Sequence, residues 1–301
     1  MGCCGPARAP DDGVHGPLAR PDARLLGRLA AAAPEELRMV GLAGGAFRMG
    51  SEDAAVDPRD GEGPVRERRV GPFAIGATTV TVAQFATFVQ DTGYRSDAER
   101  LGDASVFAGL VPARLRASSR VVPEAPWWRR VAGACWFLPE GPGSSVEGRT
   151  SHPVTQVSQH DALAYAGWLG ARLPSEAEWE LAARGGLDQQ PYPWGAEREP
   201  GGVPRMKTFA GRFPDAPAAP VGTVPADAFA PNAYGLHNST GNVWEWTVSP
   251  FSPTDARPVL RGGSYLCHDS YCRRYRTSAR VAATSDTALG HTGFRLAVDR
   301  A

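Results

Sequence analysis

The spacing of apolar and polar positions changes several times along the chain, and each spacing predicts an element. Residues 22–33, DARLLGRLAAAA, carry apolar side chains at helical intervals behind Asp22, which predicts a short helix capped by Asp22 and stopped by Pro34. From Met39, MVGLAGGAFRMGS reads as strand stretches broken by glycine, Asp57 to Gly63 (DPRDGEG) as a polar loop, and PFAIGATTVT as another strand. Three capping boxes then open helices. Thr81 with Gln84 opens VAQFATFVQDTG, whose Val82, Phe85 and Val89 share a face. Ser158 with Asp161 opens QHDALAYAGWLG, and Ser175 with Glu178 opens EAEWELAARGG, which Gly185 stops. All three are amphipathic and belong on a core. Gly186 to Pro231 (PYPWG, REPGG, FPDAPAAPVG) has no period and reads as loop. The last third alternates in short bursts, NVWEWTV, GGSYLC, YRTSARVA and TGFRLAV, which predict strands. No internal repeat is present. Few helices and short strands under long aromatic-bearing loops predict one α+β domain over residues 38–301, behind a flexible leader of residues 1–37 that carries the first short helix.

Composition supports that picture and removes several function classes. The chain has 301 residues, enough for a sizeable core. Its 35 glycines and 27 prolines would suggest disorder, but eight tryptophans and eleven phenylalanines point instead to a folded domain rich in turns. Lys+Arg and Asp+Glu both number 32, so nothing in the net charge asks for nucleic acid or an anionic membrane. No apolar run approaches the roughly 20 residues of a membrane span. The start, MGCCGPARAPDDGVHGP, lacks a secretory apolar core, and Pro6 stands where a myristoylation pattern wants Ser or Thr. A cytoplasmic, monomeric protein is the expectation, and permanent disulfides are rare in that compartment. Cys3 and Cys4 read as an exposed pair in the leader, and Cys135 as a buried small hydrophobe.

The remaining cysteines, Cys267 and Cys272, lie in RGGSYLCHDSYCRRYR. A separation of five puts them on different sides of a helix and on opposite faces of a straight strand. Their sulfurs can meet only through a bend, for which Asp269 and Ser270 supply turn-favouring residues. A structural disulfide, a redox dithiol and a soft-metal pair all remain open. The reducing compartment favours the functional readings. Arg273, Arg274 and Arg276 would stabilise thiolates, and two thiolates without imidazole or carboxylate partners suit Cu(I) better than zinc. None of the six histidines falls in HExxH, and CxxC, GxGxxG, the P-loop pattern and GxSxG are absent. A second constellation, N238-S-T-G-N-V-W-E245, could form an all-oxygen calcium cage. On chemistry alone, a plain turn entering a strand with Trp244 and Trp246 is the stronger reading.

The motifs GGAFRMGS, DGEGPVR, SVFAGLVP, APWWRRV, HPVTQVS, RLPSEAEWELAARGG, YPWG, NAYGLHNSTGNVWEWT, RGGSYLCHDSYCRRYR and TGFRLA run from about residue 38 to 299. In them the chain resembles the formylglycine-generating enzymes, particularly the actinobacterial members. GNVWEWT, RLPSEAEWE and GFR mark the wider superfamily and its C-type-lectin-like fold, whereas the cysteine motif belongs to the catalytic branch.

The resemblance implies an oxidase that turns one cysteine of a C-x-P-x-R motif, in an unfolded sulfatase-type polypeptide, into formylglycine using O2 and an external thiol reductant. It places Cu(I) on Cys267 and Cys272 with Ser264 beside the oxygen pocket, and implies Asp103 as partner of the substrate arginine. Trp127, Tyr271 and Arg276 would line the peptide groove. It also implies a calcium site at Asn238, Gly241, Val243 and Glu245. A second family calcium site is expected to be lost, because Lys207, Thr208 and Phe209 replace its first part and PDAPAAPVG shortens its acidic loop. Ala104, Gln159 and Leu296 also depart from common family residues. They leave room for a paralogue with altered specificity, or for a noncatalytic peptide binder on the same fold. An iron-dependent sulfoxide synthase of the superfamily would need a histidine cluster and a helical domain that this chain lacks.

Overall fold

The computed structural model describes residues 16–34, 37–54 and 56–300. Cys3 and Cys4 lie outside the described residues. About a fifth of the chain is helix and slightly more is strand, so long segments are held by side chains rather than by ladders.

Helix α1 (Ala23–Ala30) starts where Asp22 accepts the Arg24 N–H. The structure departs from a flexible leader here, because an eight-residue helix is marginal alone and needs a surface to bury its apolar stripe. Leu29 is 1% exposed in the main core and Leu25 and Leu26 pack beside it, against α2 (Val82–Thr92). The three predicted capping boxes all form, opening α2, α5 (Gln159–Trp168) and α6 (Glu176–Arg184). Two helices went unread in the sequence: α3 (Asp97–Leu101), which has its own Ser96–Glu99 box, and the single turn α4 (Ala113–Arg116).

Short sheets surround these helices. β1 (Met39–Leu42), β4 (Phe73–Gly76) and β14 (Ala297–Asp299) form one antiparallel sheet, and β2 (Gly45–Met49) pairs with β3 (Arg66–Val70). β5 (Asp103–Phe107) pairs with β7 (Trp128–Ala132), which also pairs with β6 (Arg120–Val121). The two-residue strands β8 (Gly211–Arg212) and β9 (Ala216–Pro217) are the regular strands of the long loop segment. The sheet that carries the site is ordered β12 (Arg280–Ala282), β11 (Asp255–Arg261), β10 (Trp244–Ser252), β13 (Thr292–Gly293). β10 and β11 form an antiparallel hairpin with register shifts, and β13 runs parallel to β10.

Buried ion pairs bind α6 to this sheet. Arg261 reaches Glu176 at 2.9 Å and Glu180 at 2.5 Å, and Arg280 reaches Glu176 at 2.5 Å. Trp179 Nε1 donates to Glu245 at 2.7 Å, and Arg295 grips the same carboxylate. Trp244, Trp246, Phe85, Trp136 and Tyr165 fill the principal core, at whose edge Cys267 and Cys272 sit. Among the described residues, no helix is long and apolar enough to cross a membrane.

Candidate active site

β11 ends at the buried Arg261, and two glycines then turn the chain. Gly262 and Gly263 take φ values of 95° and 75°, a left-handed region that disfavours residues with a Cβ. A Cβ on Gly263 would also lie 2.3 Å from the Arg274 carbonyl oxygen, so this position folds the segment before the cysteines onto the segment after them. The stretch GGSYLC is therefore a turn and not the expected strand, closed by the Cys267 N–H donating to the Ser264 carbonyl at 3.0 Å.

The required bend lies between the cysteines. The His268 carbonyl accepts the N–H groups of Tyr271 at 3.0 Å and Cys272 at 2.8 Å. The His268 ring meets Ser270 Oγ at 2.8 Å and accepts the Ser270 N–H at 3.2 Å, while Asp269 takes Arg198 at 2.9 Å. His268 thus acquires a structural role that the sequence did not announce, and Asp269, read there only as a turn former, also anchors Arg198. The bend brings the sulfurs to 3.2 Å as thiols outside any disulfide, with Cys267 1% and Cys272 5% exposed. The Ser264 N–H points at Cys267 Sγ from 3.4 Å, and Ser264 Oγ meets His291 Nδ1 at 3.2 Å.

The arginines do not do what their position suggested. Arg274 is bound to Asp60 and lies 3.3 Å from Asp57, and Arg276 is held in two prongs by Glu62 at 2.7 and 2.9 Å. Arg273 projects to solvent near Asp269. Loop 57–63 neutralises the charge expected to favour thiolates. Burial wins, with the neighbouring Cys272 adding to it, and pushes the Cys267 thiol well above its ordinary range; Arg274 opposes this only weakly. Cys135 is also buried, and its thiol is pushed up to about 12, so it behaves as the hydrophobe expected.

Two surfaces meet at Tyr271. On one side its ring stacks on Phe213 at 4.4 Å and meets Trp127 edge-on at 4.9 Å, with Phe107 and Phe209 behind Phe213. On the other a cleft of about 310 Å³ is lined by Tyr271, Cys272, Asp57, Asp60, Asp269 and Arg273 among others. The structure brings Trp127 and Tyr271 together, and Phe213 beside them went unread because it lies in the aperiodic loop. Arg276 contributes to the cleft wall, but its guanidinium is committed to Glu62. Asp103 is on β5, only 2% exposed and 3.7 Å from Arg130.

Two adjacent sulfur donors are a set that suits a soft metal. Of the expected calcium ligands, Asn238, Gly241 and Val243 lie in the turn before β10, and Glu245 is in β10 itself with its carboxylate bonded to Trp179 and Arg295. Asn238 and Asn242 have φ values of 48° and 57°. The Asn238 amide donates to Pro225 and Ala226, leaving its buried Oδ1 without a hydrogen-bond partner. Ser239 Oγ and Thr240 Oγ1 are likewise buried without partners, and all three residues line a cavity of about 20 Å³. That is room for one small occupant that wants oxygen donors. Glu245 Oε1 accepts one bond, from Arg295, so it retains acceptor capacity. Where the second site was expected to be lost, Lys207 Nζ donates to the Pro220 carbonyl at 2.5 Å, a side-chain cation tying the two segments.

Residues 28–300 match the family described as sulfatase-modifying factor enzyme 1-like domain. Fold and site together define a buried-dithiol enzyme on that scaffold. The formylglycine-generating enzyme of Thermomonospora curvata is 51% identical over 289 residues, covering 88% of this chain and 95% of that protein. A mouse protein described as inactive C-alpha-formylglycine-generating enzyme 2 is 43% identical over 278 residues, covering 90% and 88%. The structure of PvdO from Pseudomonas aeruginosa superposes with a TM-score of 0.61 at 24% identity, covering 87% and 94%, which bears on the fold alone. The chain belongs to the formylglycine-generating enzyme family, and like its close homologues it is an oxidase.

Proposed function

We propose that this protein converts the cysteine of a C-x-P-x-R segment, in an unfolded sulfatase-type polypeptide, into formylglycine with O2, and that Cys267 and Cys272 hold Cu(I) for the purpose. The observation that carries the reading is the pair of unbridged sulfurs 3.2 Å apart at the edge of the core. A peptide binder without chemistry has no use for such a pair, and identity alone does not separate active from inactive relatives. When bound, Cu(I) would supply a one-electron reductant for O2 and a seat for the substrate thiolate.

The chain's own residues do the rest. Burial keeps the pair dry and pushes the Cys267 thiol up, so Cys267 carries its proton until metal takes its place. The bonds from His268 fix the sulfur separation before any ligand arrives. Trp127, Phe213 and Tyr271 offer flat apolar faces to a rigid ring such as the motif's proline. Ser264, next to Cys267, offers a hydroxyl to an oxygen species in the pocket, and His291 fixes that hydroxyl. Asp103 is the acidic group assigned to the motif arginine. In the balance, the thiol-bearing carbon of the substrate cysteine gives up two electrons to become a thioaldehyde, and two molecules of external thiol give two more on forming a disulfide. Together they reduce O2 to two waters. A further water hydrolyses the thioaldehyde to the aldehyde and hydrogen sulfide. Asn238, Gly241 and Val243 of the turn, with Glu245 of β10, would hold calcium structurally.

The test is direct. Copper-loaded protein given O2, a thiol reductant and a C-x-P-x-R peptide is expected to yield an aldehyde peptide by mass spectrometry. Unchanged peptide cysteine would refute the activity.

A further inference from the structure

One ring of the aromatic slot stands on a poorly supported part of the chain. Phe213 lies at the tip of a hairpin of residues 210–220, whose two strands are β8 and β9. Every residue of that hairpin except the half-buried Phe213 is exposed. The Ala218 N–H donates to the Ala210 carbonyl at 2.8 Å, and Gly211 pairs with Pro217. Those bonds tie the hairpin to itself and leave its direction open. A lone two-stranded ribbon is marginal in water, so its placement over Tyr271 needs an outside anchor.

One anchor is Phe213 itself, through its contacts with the rings of Tyr271, Trp127 and Phe209. Another is Lys207, whose Nζ donates to the Pro220 carbonyl at 2.5 Å across the root of the hairpin. Partial burial lowers the pKa of this ammonium below the ordinary lysine value, the mark of a cation seated against protein. The anchor is itself fixed. The Lys207 carbonyl accepts the Asn242 N–H at 2.8 Å, and the Phe209 N–H donates to the Cys267 carbonyl at 3.1 Å. Between them Thr208 Oγ1 accepts from Arg198 at 3.0 Å, and Arg198 also holds Asp269 in the bend between the cysteines at 2.9 Å. Residues 207–209 are therefore bound both to the turn before β10 and to the cysteine loop. The Lys207 side chain passes that fixed position on to the hairpin.

These residues do not fit the second calcium that the family resemblance brought into question. Calcium gathers carboxylate and carbonyl oxygens. Here an ammonium already faces the Pro220 carbonyl, and a divalent cation brought to the same oxygen would meet like charge.

We infer that Lys207 is a positioning residue for the peptide slot: its ammonium pins the hairpin that carries Phe213 over Tyr271, so a built-in cation holds the slot in place of a bound one. What the slot takes rests on the functional reading above, whereas the pin is a property of the free protein.

Lys207→Met keeps most of the side-chain length and removes the donor. With a C-x-P-x-R peptide its KM is expected to rise about fivefold, while kcat and copper stoichiometry stay within about twofold of wild type. Lys207→Arg retains a cationic donor and is expected to keep the wild-type KM. In a Phe213→Ala background Lys207→Met is expected to add nothing, because the ring it positions is gone. In metal-free protein, trypsin cleavage after Arg212, followed by mass spectrometry, is expected to be about fivefold faster in Lys207→Met and unchanged in Lys207→Arg. An unchanged KM in folded Lys207→Met overturns the inference. So does a fall in kcat in place of the KM change, or a KM rise of the same size with Phe213 already absent. If wild type converts no peptide, the functional reading fails and the cleavage rate alone decides. An equal rate in wild type and Lys207→Met then removes Lys207 from the role.

Discussion

Glu62 and Arg276, 214 residues apart, form a two-pronged ion pair with N–O distances of 2.7 and 2.9 Å, and neither side chain is more than 4% exposed. Ser278 Oγ donates to the same carboxylate at 2.7 Å. The segment leaving the cysteines is thereby fastened to the loop between β2 and β3. Glu62→Gln leaves a buried guanidinium without its counter-charge and is expected to cost about 3–5 kcal/mol in urea denaturation. Replacing both partners by methionine should recover most of that loss.

Cys272→Ser removes one of the two sulfurs while hardly changing volume. Stoichiometric Cu(I) binding, measured by competition with a chromogenic chelator, should be lost, and unfolding free energy should change by about 1 kcal/mol or less. Retained affinity would take the pair out of the metal role. Because burial pushes the Cys267 thiol up, alkylation of Cys267 in the metal-free protein at neutral pH, followed by peptide mapping, should be slow. It should keep accelerating with alkali beyond the range where free cysteine levels off.

Phe213→Ala opens the slot beside Tyr271 without touching the cysteines. The KM for peptide is expected to rise about tenfold with kcat and copper stoichiometry unchanged. A fall in kcat alone would show that Phe213 acts elsewhere.

Calcium should appear as thermal stability. Chelation is expected to lower Tm and added calcium to restore it, an effect of about 2.7 kcal/mol at a hundredfold excess over Kd. Asn238→Ala removes the oxygen that has no internal partner, and its Tm should no longer respond to calcium. A response of wild-type size would exclude Asn238 as a ligand.

Asp161 gives stability a pH dependence. Burial, with the Asp97 charge second, raises its carboxyl from 3.8 to about 7, against hydrogen bonds from Ser158, Asp97 and Tyr94. The folded state then holds a proton that the unfolded state has released, so this group's stabilisation is complete below about pH 4 and declines as pH rises towards 7. Relative to Asp161→Asn, wild type should lose on the order of 3 kcal/mol across that window, read from denaturation midpoints. A flat difference would show that the hydrogen bonds outweigh burial.

How far the sequence could be read depended on whether a signal was local. Thr81 with Gln84, Ser158 with Asp161 and Ser175 with Glu178 each satisfy backbone donors within one turn, and all three predicted helix starts are present. The bend between the cysteines was legible because a separation of five admits no other way for the sulfurs to meet. GGSYLC misled because its alternation imitates a strand, whereas Gly262 and Gly263 adopt backbone angles that pattern alone does not reveal. The arginines misled for the opposite reason. Their charge was visible, but the carboxylates that cancel it lie more than two hundred residues upstream. Phe213 and His291 carried no local signal, since each matters only through a partner that tertiary packing supplies.

If Cys267 and Cys272 hold Cu(I) as proposed, the turn from His268 to Cys272 bears on how the protein would be supplied with metal. Small metal domains commonly remain unfolded until the ion arrives, so their abundance follows the metal supply. Here backbone bonds and the Arg276 and Gly263 contacts set the distance between the sulfurs on their own. Metal entry would then not need to order the chain, and the metal-free protein could accumulate as a durable reserve. Activity would then be rationed by how quickly copper is handed over, without new synthesis and without refolding.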